Sequence, residues 1–194
     1  MHLQMSITSP HPRVAAISPR ATRTLLALLF LGALFVAPTL LRHRSTYGPR
    51  IDADSRQPIS PFTVTELNGK PWRLADHRGE VILINYWATW CAPCREELPG
   101  LVALTHDNRP ANLAILGISL DDGSPQAVRQ FVSEHQLPDP VALADKAWQL
   151  DQIPTGVPTS ILLDRRGRVA KTYTGPVTRQ EFQDDISALL REPA

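Results

Sequence analysis

Residues 81–94 read VILINYWATWCAPC, and this stretch decides the fold. Its first seven residues are apolar except for Asn85. Such a run suits a strand buried on both faces. From Ala92 to about His106 the pattern turns helical, with Leu98, Leu101, Val102 and Thr105 on one face and Pro99 expected to kink it. Cys91 and Cys94 therefore stand where a buried strand gives way to a helix. A helix N-terminus carries unpaired N–H groups and the positive end of the helix dipole, and both favour thiolate over thiol. Cys91, at the cap, is expected to be the accessible nucleophile. Cys94, one turn in, is expected to be shielded and to resolve the mixed disulfide. Pro93 fits the first turn, where its missing N–H is not needed.

Other uses of the pair find little support. A zinc site lacks its other half, since there is no second cysteine pair and His77, His106 and His135 are scattered. A c-type haem site needs histidine after the second cysteine, and Arg95 stands there. A purely structural disulfide would close too short a loop to stabilise much. No metal and no cofactor are expected.

Working outward, residues 62–67 and 72–74 flank Asn68-Gly69, a hairpin signal. Residues 113–120 (LAILGISL) read as a second buried strand, and Ser124-Pro125 opens a helix to about Gln136. Strands at 160–164 and 169–174 are joined by Arg165-Arg166-Gly167. Thr178 and Glu181 form a capping box for a last helix with Phe182, Ile186, Leu189 and Leu190 inward. This order predicts an α/β domain, a central mixed sheet with helices on both faces, over residues 58–194.

The chain has 194 residues, 43% hydrophobic and 20% charged, as a folded globular protein should be. Its net charge of +1 hides an asymmetry. The first 50 residues hold six arginines and no acid, so the rest carries 14 basic and 19 acidic residues. An acidic body argues against nucleic-acid binding. Residues 24–41 (TLLALLFLGALFVAPTLL) carry no charge and, as a helix, would span roughly 27 Å, enough for a thin bilayer. They read as an uncleaved transmembrane signal anchor, with a cleaved signal peptide as the alternative, since no small-x-small site follows the run. Residues 1–23 read as a disordered basic N-terminus and residues 42–57 as a linker.

The stretch ILINYWATWCAPCREELP, with GVPTSILLDRRGRV at residues 156–169, resembles the thioredoxin-like proteins of the TlpA/ResA type. The resemblance covers about residues 58–190 and implies a thioredoxin-like fold with an extra N-terminal hairpin. It implies a membrane-anchored thiol–disulfide oxidoreductase, single-pass in the bacterial inner membrane, with its catalytic domain in the periplasm or on the outer face. Its partners would be protein substrates with disulfides and a membrane thiol–disulfide electron donor. The family places a cis-proline opposite the cysteines. Val157-Pro158-Thr159 matches it, with Ile153-Pro154-Thr155 as a nearby decoy. Trp90 matches the family's tryptophan beside the site. The chain departs from cytosolic thioredoxin at Asn85, where that protein has a titratable aspartate; asparagine cannot titrate. Some relatives carry a glutamate at the position of Glu97 that tunes the cysteines, and the alternative is a solvated glutamate like Glu96.

The leading function is thus reduction of disulfides in exported proteins, including the one that frees the apocytochrome c thiols before haem attachment. A disulfide-forming oxidase is the alternative on the same fold. A peroxiredoxin-like peroxidase is less favoured, because Ala88 rather than threonine stands three before Cys91. So is a non-enzymatic thioredoxin-fold binding module.

Overall fold

The computed structural model describes residues 47–106, 112–122, 124–137, 140–144 and 154–193. The chain divides into two units, Met1–Arg44 and Ser45–Ala194, and the described residues belong to the second. Residues 24–41 and Ile153 lie outside them. Among the described residues no helix is long and apolar enough to cross a membrane.

A hairpin comes first, β1 (Thr63–Thr65) and β2 (Pro71–Arg73). Its turn closes by hydrogen bonds from Glu66 N to Lys70 O and from Gly69 N to Glu66 O, with Gly69 at φ 85°. That positive φ is why glycine follows Asn68. Then come β3 (Val81–Trp87), α1 (Ala92–His106), β4 (Leu113–Ser119), α2 (Pro125–Glu134), β5 (Val141–Leu143), β6 (Thr159–Leu163), β7 (Val169–Thr174) and α3 (Arg179–Leu190). The sheet order is β5-β4-β3-β6-β7. β3 pairs parallel with β4, and β4 with β5, while β6 and β7 run antiparallel, so the sheet is mixed as expected. The three-residue strand β5 was not foreseen, being too short to show a period. Ser124 caps α2 and the Thr178–Glu181 capping box opens α3, both as read from the sequence.

Among the described residues the three helices share one face of the sheet. One face of β3, with Val81 and Leu83, packs against Leu98, Leu101 and Leu104 of α1 and against Phe182, Ile186 and Leu189 of α3, with Phe131 of α2 beside them. The other face, with Ile82, Ile84 and Tyr86, packs against Val64, Trp72 and Leu74 from the hairpin and its flank. The physical reason is chirality. Two successive parallel crossovers in the same direction along the sheet, both right-handed, put α1 and α2 on one side. Along α1 the buried face also shifts from the expected one: Glu97 and Leu104 are buried, whereas Val102 and Thr105 are partly exposed.

Residues 47–57, expected as linker, are bound to the folded body. Ile51 N donates to Ala170 O, Val169 N to Gln57 O and Ile59 N to Gly167 O. This strap covers the free edge of β7, whose unpaired backbone groups would otherwise be open to another chain. Its side chains hold it as well. Arg50 pairs with Asp185, and Arg56 is buried between Asp164 and Glu192.

Candidate active site

Residues 88–91 connect β3 to α1. Asp121, just past β4, clamps that connection: its carboxylate accepts hydrogen bonds from Thr89 N at 3.0 Å, Thr89 Oγ1 at 2.6 Å and Ser119 Oγ at 2.6 Å. Cys91 N–H donates to Ala88 O, and Cys91 then stands immediately before the first residue of α1. Cys91 and Cys94 are joined in a disulfide, with their Cα atoms 5.3 Å apart. The N–H of Cys94, a first-turn donor without a helical partner, points at Cys91 Sγ at 3.2 Å. After reduction the same donor favours a thiolate at Cys91.

The accessible nucleophile expected from the sequence is not what the oxidised pair shows. Cys91 is 4% exposed and Cys94 1%. Trp87, Ala88, Val128, Val141 and Val157 pack around them. Trp87 can lie against them because Gly117 has no side chain; a Cβ there would sit 3.2 Å from Trp87 Nε1. The exposed group is Trp90, at 67%, next to Pro93 in the first turn, also exposed.

Glu97 is not a solvated helix residue. It is 4% exposed, while Glu96 beside it is exposed. Its Oε1 accepts from Asn85 Nδ2 at 2.7 Å and its Oε2 from Val177 N at 2.8 Å. Asn85 donates also to Ser160 Oγ at 2.9 Å. Burial pushes the Glu97 carboxyl up, the hydrogen bonds from Val177 and Asn85 pull part of the way back, and it lies at about 7. This buried carboxyl stands on the helix, and the strand contributes Asn85, which donates to it.

The Val157–Pro158 peptide bond is cis, at the position matched to the family's proline. Pro158 O accepts from Gly175 N at 2.8 Å, and Val157 reaches the cysteine cluster. Among the described residues no group of three or more His, Cys, Asp or Glu is placed to hold a metal. The sequence reading missed Asp121, Ser160 and Val177. Asp121 had a local signal, a serine–x–aspartate pair closing a buried strand, of the kind that hydrogen-bonds its own turn.

A buried CxxC disulfide on a helix N-terminus, on a five-stranded mixed sheet, defines a protein of thiol–disulfide exchange. Comparison with known proteins narrows this. The AhpC/TSA family model matches residues 56–188. The thiol-disulfide oxidoreductase ResA of Bacillus thuringiensis subsp. konkukian is 31% identical over 171 residues, covering 86% of this chain and 94% of that protein. Among solved structures, a secreted thiol-disulfide isomerase from Corynebacterium glutamicum superposes with a TM-score of 0.66 at 29% identity, over 74% of this chain and 91% of that one. A thiol:disulfide interchange protein of the thioredoxin family from Chlorobium tepidum gives 0.62 at 26% identity, over 72% and 99%. The chain belongs to the AhpC/TSA family and, within it, to the TlpA/ResA-like thioredoxin-fold thiol–disulfide oxidoreductases.

Proposed function

We propose that this oxidoreductase works as a reductase of disulfides in exported proteins, the disulfide of oxidised apocytochrome c among them, tethered by residues 24–41 to the outer face of the bacterial inner membrane. The observation that supports the exchange chemistry is Glu97, a buried carboxyl pushed up to about 7 one helical turn beyond Cys94, able to take that thiol's proton; the direction is set by the potential of the couple. In the cycle, the Cys91 thiolate attacks one sulfur of the substrate disulfide, and the other sulfur leaves as a thiolate that takes a proton from water. Cys94 then gives its proton towards Glu97 and attacks Cys91 Sγ. The second substrate sulfur leaves, and the Cys91–Cys94 disulfide holds the oxidised state. Two electrons have passed to the substrate, and a membrane thiol–disulfide donor returns them.

Trp90, exposed beside the pair, and the backbone of Val157, packed against it, would seat an extended substrate segment. Pro93, in the first turn of α1, and the cis Pro158, just before β6, complete the binding surface in this reading. The test is the reduction potential of the Cys91–Cys94 couple: near about −270 mV it supports the reductase, and near about −120 mV it makes the protein an oxidase. Under the same reading Cys94→Ser traps a mixed disulfide with its substrate. Recovery of no such species, with function kept in Cys91→Ser, would point to a binding module instead.

A further inference from the structure

The peptide unit between Pro176 and Val177 is hydrogen-bonded at both ends. Its N–H donates to Glu97 Oε2 at 2.8 Å. Its carbonyl accepts from the hydroxyl of Tyr47 at 2.6 Å. Tyr47 belongs to the strap, 129 residues away in sequence, and its ring stacks edge-on against Tyr173 with centroids 5.3 Å apart. The residue before, Gly175, sits at φ 103° and donates its own N–H to the carbonyl of Pro158. Three successive residues thus tie the cis-proline, the strap and the buried glutamate together. A hydrogen bond accepted at a peptide carbonyl polarises the unit and strengthens the bond its N–H gives, because such chains are cooperative.

We propose that Tyr47 is a positioning residue for Glu97: its hydroxyl orients and polarises the Pro176–Val177 peptide and so strengthens the bond that Val177 gives the carboxylate. The segment just after the proposed membrane tether thereby reaches the proton chemistry of the cysteine pair. Among the described residues, β3 contributes to Glu97 the donor Asn85, which is shared with Ser160 of β6; the loop before α3 contributes Val177; the strap contributes Tyr47; and Cys94 stands one turn back on α1. Burial first, then the negative charges of Glu181 on α3 and of Glu97, push the Tyr47 hydroxyl up and keep it a neutral donor. The consequence for catalysis rests on the reading of Glu97 as proton acceptor; the coupling between Tyr47 and Glu97 does not.

The test is Tyr47→Phe, which keeps the ring against Tyr173 and removes the hydroxyl. The Glu97 carboxyl is titrated by carbon-13 NMR in the oxidised full-length chain, where the cysteines do not titrate. The expected result is a midpoint raised by about 0.2–0.6 of a pH unit, since the Val177 bond loses ~10–30% of its strength, with the Val177 amide proton moving upfield. An unchanged or lowered midpoint overturns the proposal. The pH profile of Cys alkylation in the reduced chain separates the two ideas. If Tyr47→Phe moves the Glu97 midpoint but neither it nor Glu97→Gln moves the thiol profile, the coupling stands and the catalytic role of Glu97 falls.

Discussion

Replacing Glu97 by glutamine should change how stability depends on pH in one direction only. In the folded chain burial raises the Glu97 carboxyl from 4.5 to about 7. A carboxyl raised on folding is proton-bound more tightly in the native state, so its contribution is fully present below the unfolded value and is lost as pH climbs through the folded one. The window is therefore about pH 4.5 to 7, and the loss across it amounts to ~3 kcal/mol. Glutamine cannot titrate. It keeps one acceptor oxygen for Asn85 or Val177 and turns an amide towards the other donor, at a pH-independent cost of about 1–3 kcal/mol. Urea unfolding of oxidised wild type and Glu97→Gln, followed by tryptophan fluorescence from pH 4.5 to 8.5, gives the difference curve. Other titrating groups cancel in it as long as they lie away from the site. The variant should start about 1–3 kcal/mol less stable, and the difference should move by ~3 kcal/mol in its favour as pH rises, so that it reaches or overtakes wild type. A gap constant across that range would mean that Glu97 titrates as an exposed glutamate does, and the argument for its burial would fail.

Two further substitutions probe the frame. Asp121→Ala should strip Thr89 N and Oγ1 of their acceptor and cost about 1–3 kcal/mol in thermal or urea unfolding, with slower exchange because the residues before Cys91 lose their anchor. Equal exchange rates in the two proteins would show that Asp121 does not set the loop. Asp185 receives Lys171, Tyr173 and Arg50; burial alone would raise its carboxyl, but these hydrogen bonds hold it below 3.8. Its contribution is present above pH 3.8 and is lost as pH falls through the folded value. Asp185→Asn should accordingly show a shallower acid loss than wild type below pH 4, and Asp185→Ala should lose about 3 kcal/mol at pH 7 because a buried ammonium is stripped of its carboxylate. Identical acid limbs would refute the assignment.

What the sequence made legible follows the range of the forces involved. β3, α1, both caps and the Asn-Gly turn rest on local signals, a run of apolar residues or a side chain reaching two or three residues along. The family motif then placed the cis peptide at Val157–Pro158. β5 is three residues long and paired on an edge, and nothing in so short a run distinguishes a strand. That α1 and α2 share a face is a property of connection handedness rather than of any residue. The apolar face of α1 was read one step round, because Val102 and Thr105 fit the period as well as Leu104 does.

The strap and the glutamate show the harder limit. Residues 47–57 have the proline, glycine and charge of a linker, and that composition describes how the segment behaves alone. Its arginines nevertheless find carboxylates 108 to 136 residues downstream, at Asp164, Asp185 and Glu192. Whether Glu97 is a solvated charge or a buried acid is decided in the same way, by Asn85 twelve residues back and by Val177 eighty residues on. Glu97 shares the helical face of Cys94 and Leu101 and Glu96 does not, but that period alone does not tell how deeply the face is buried. What separates them is a donor from β3 and a peptide from the loop before α3. A titratable group near neutrality exists here because the tertiary fold buries one carboxylate of the two and then supplies it with too few donors to hold it fully ionised.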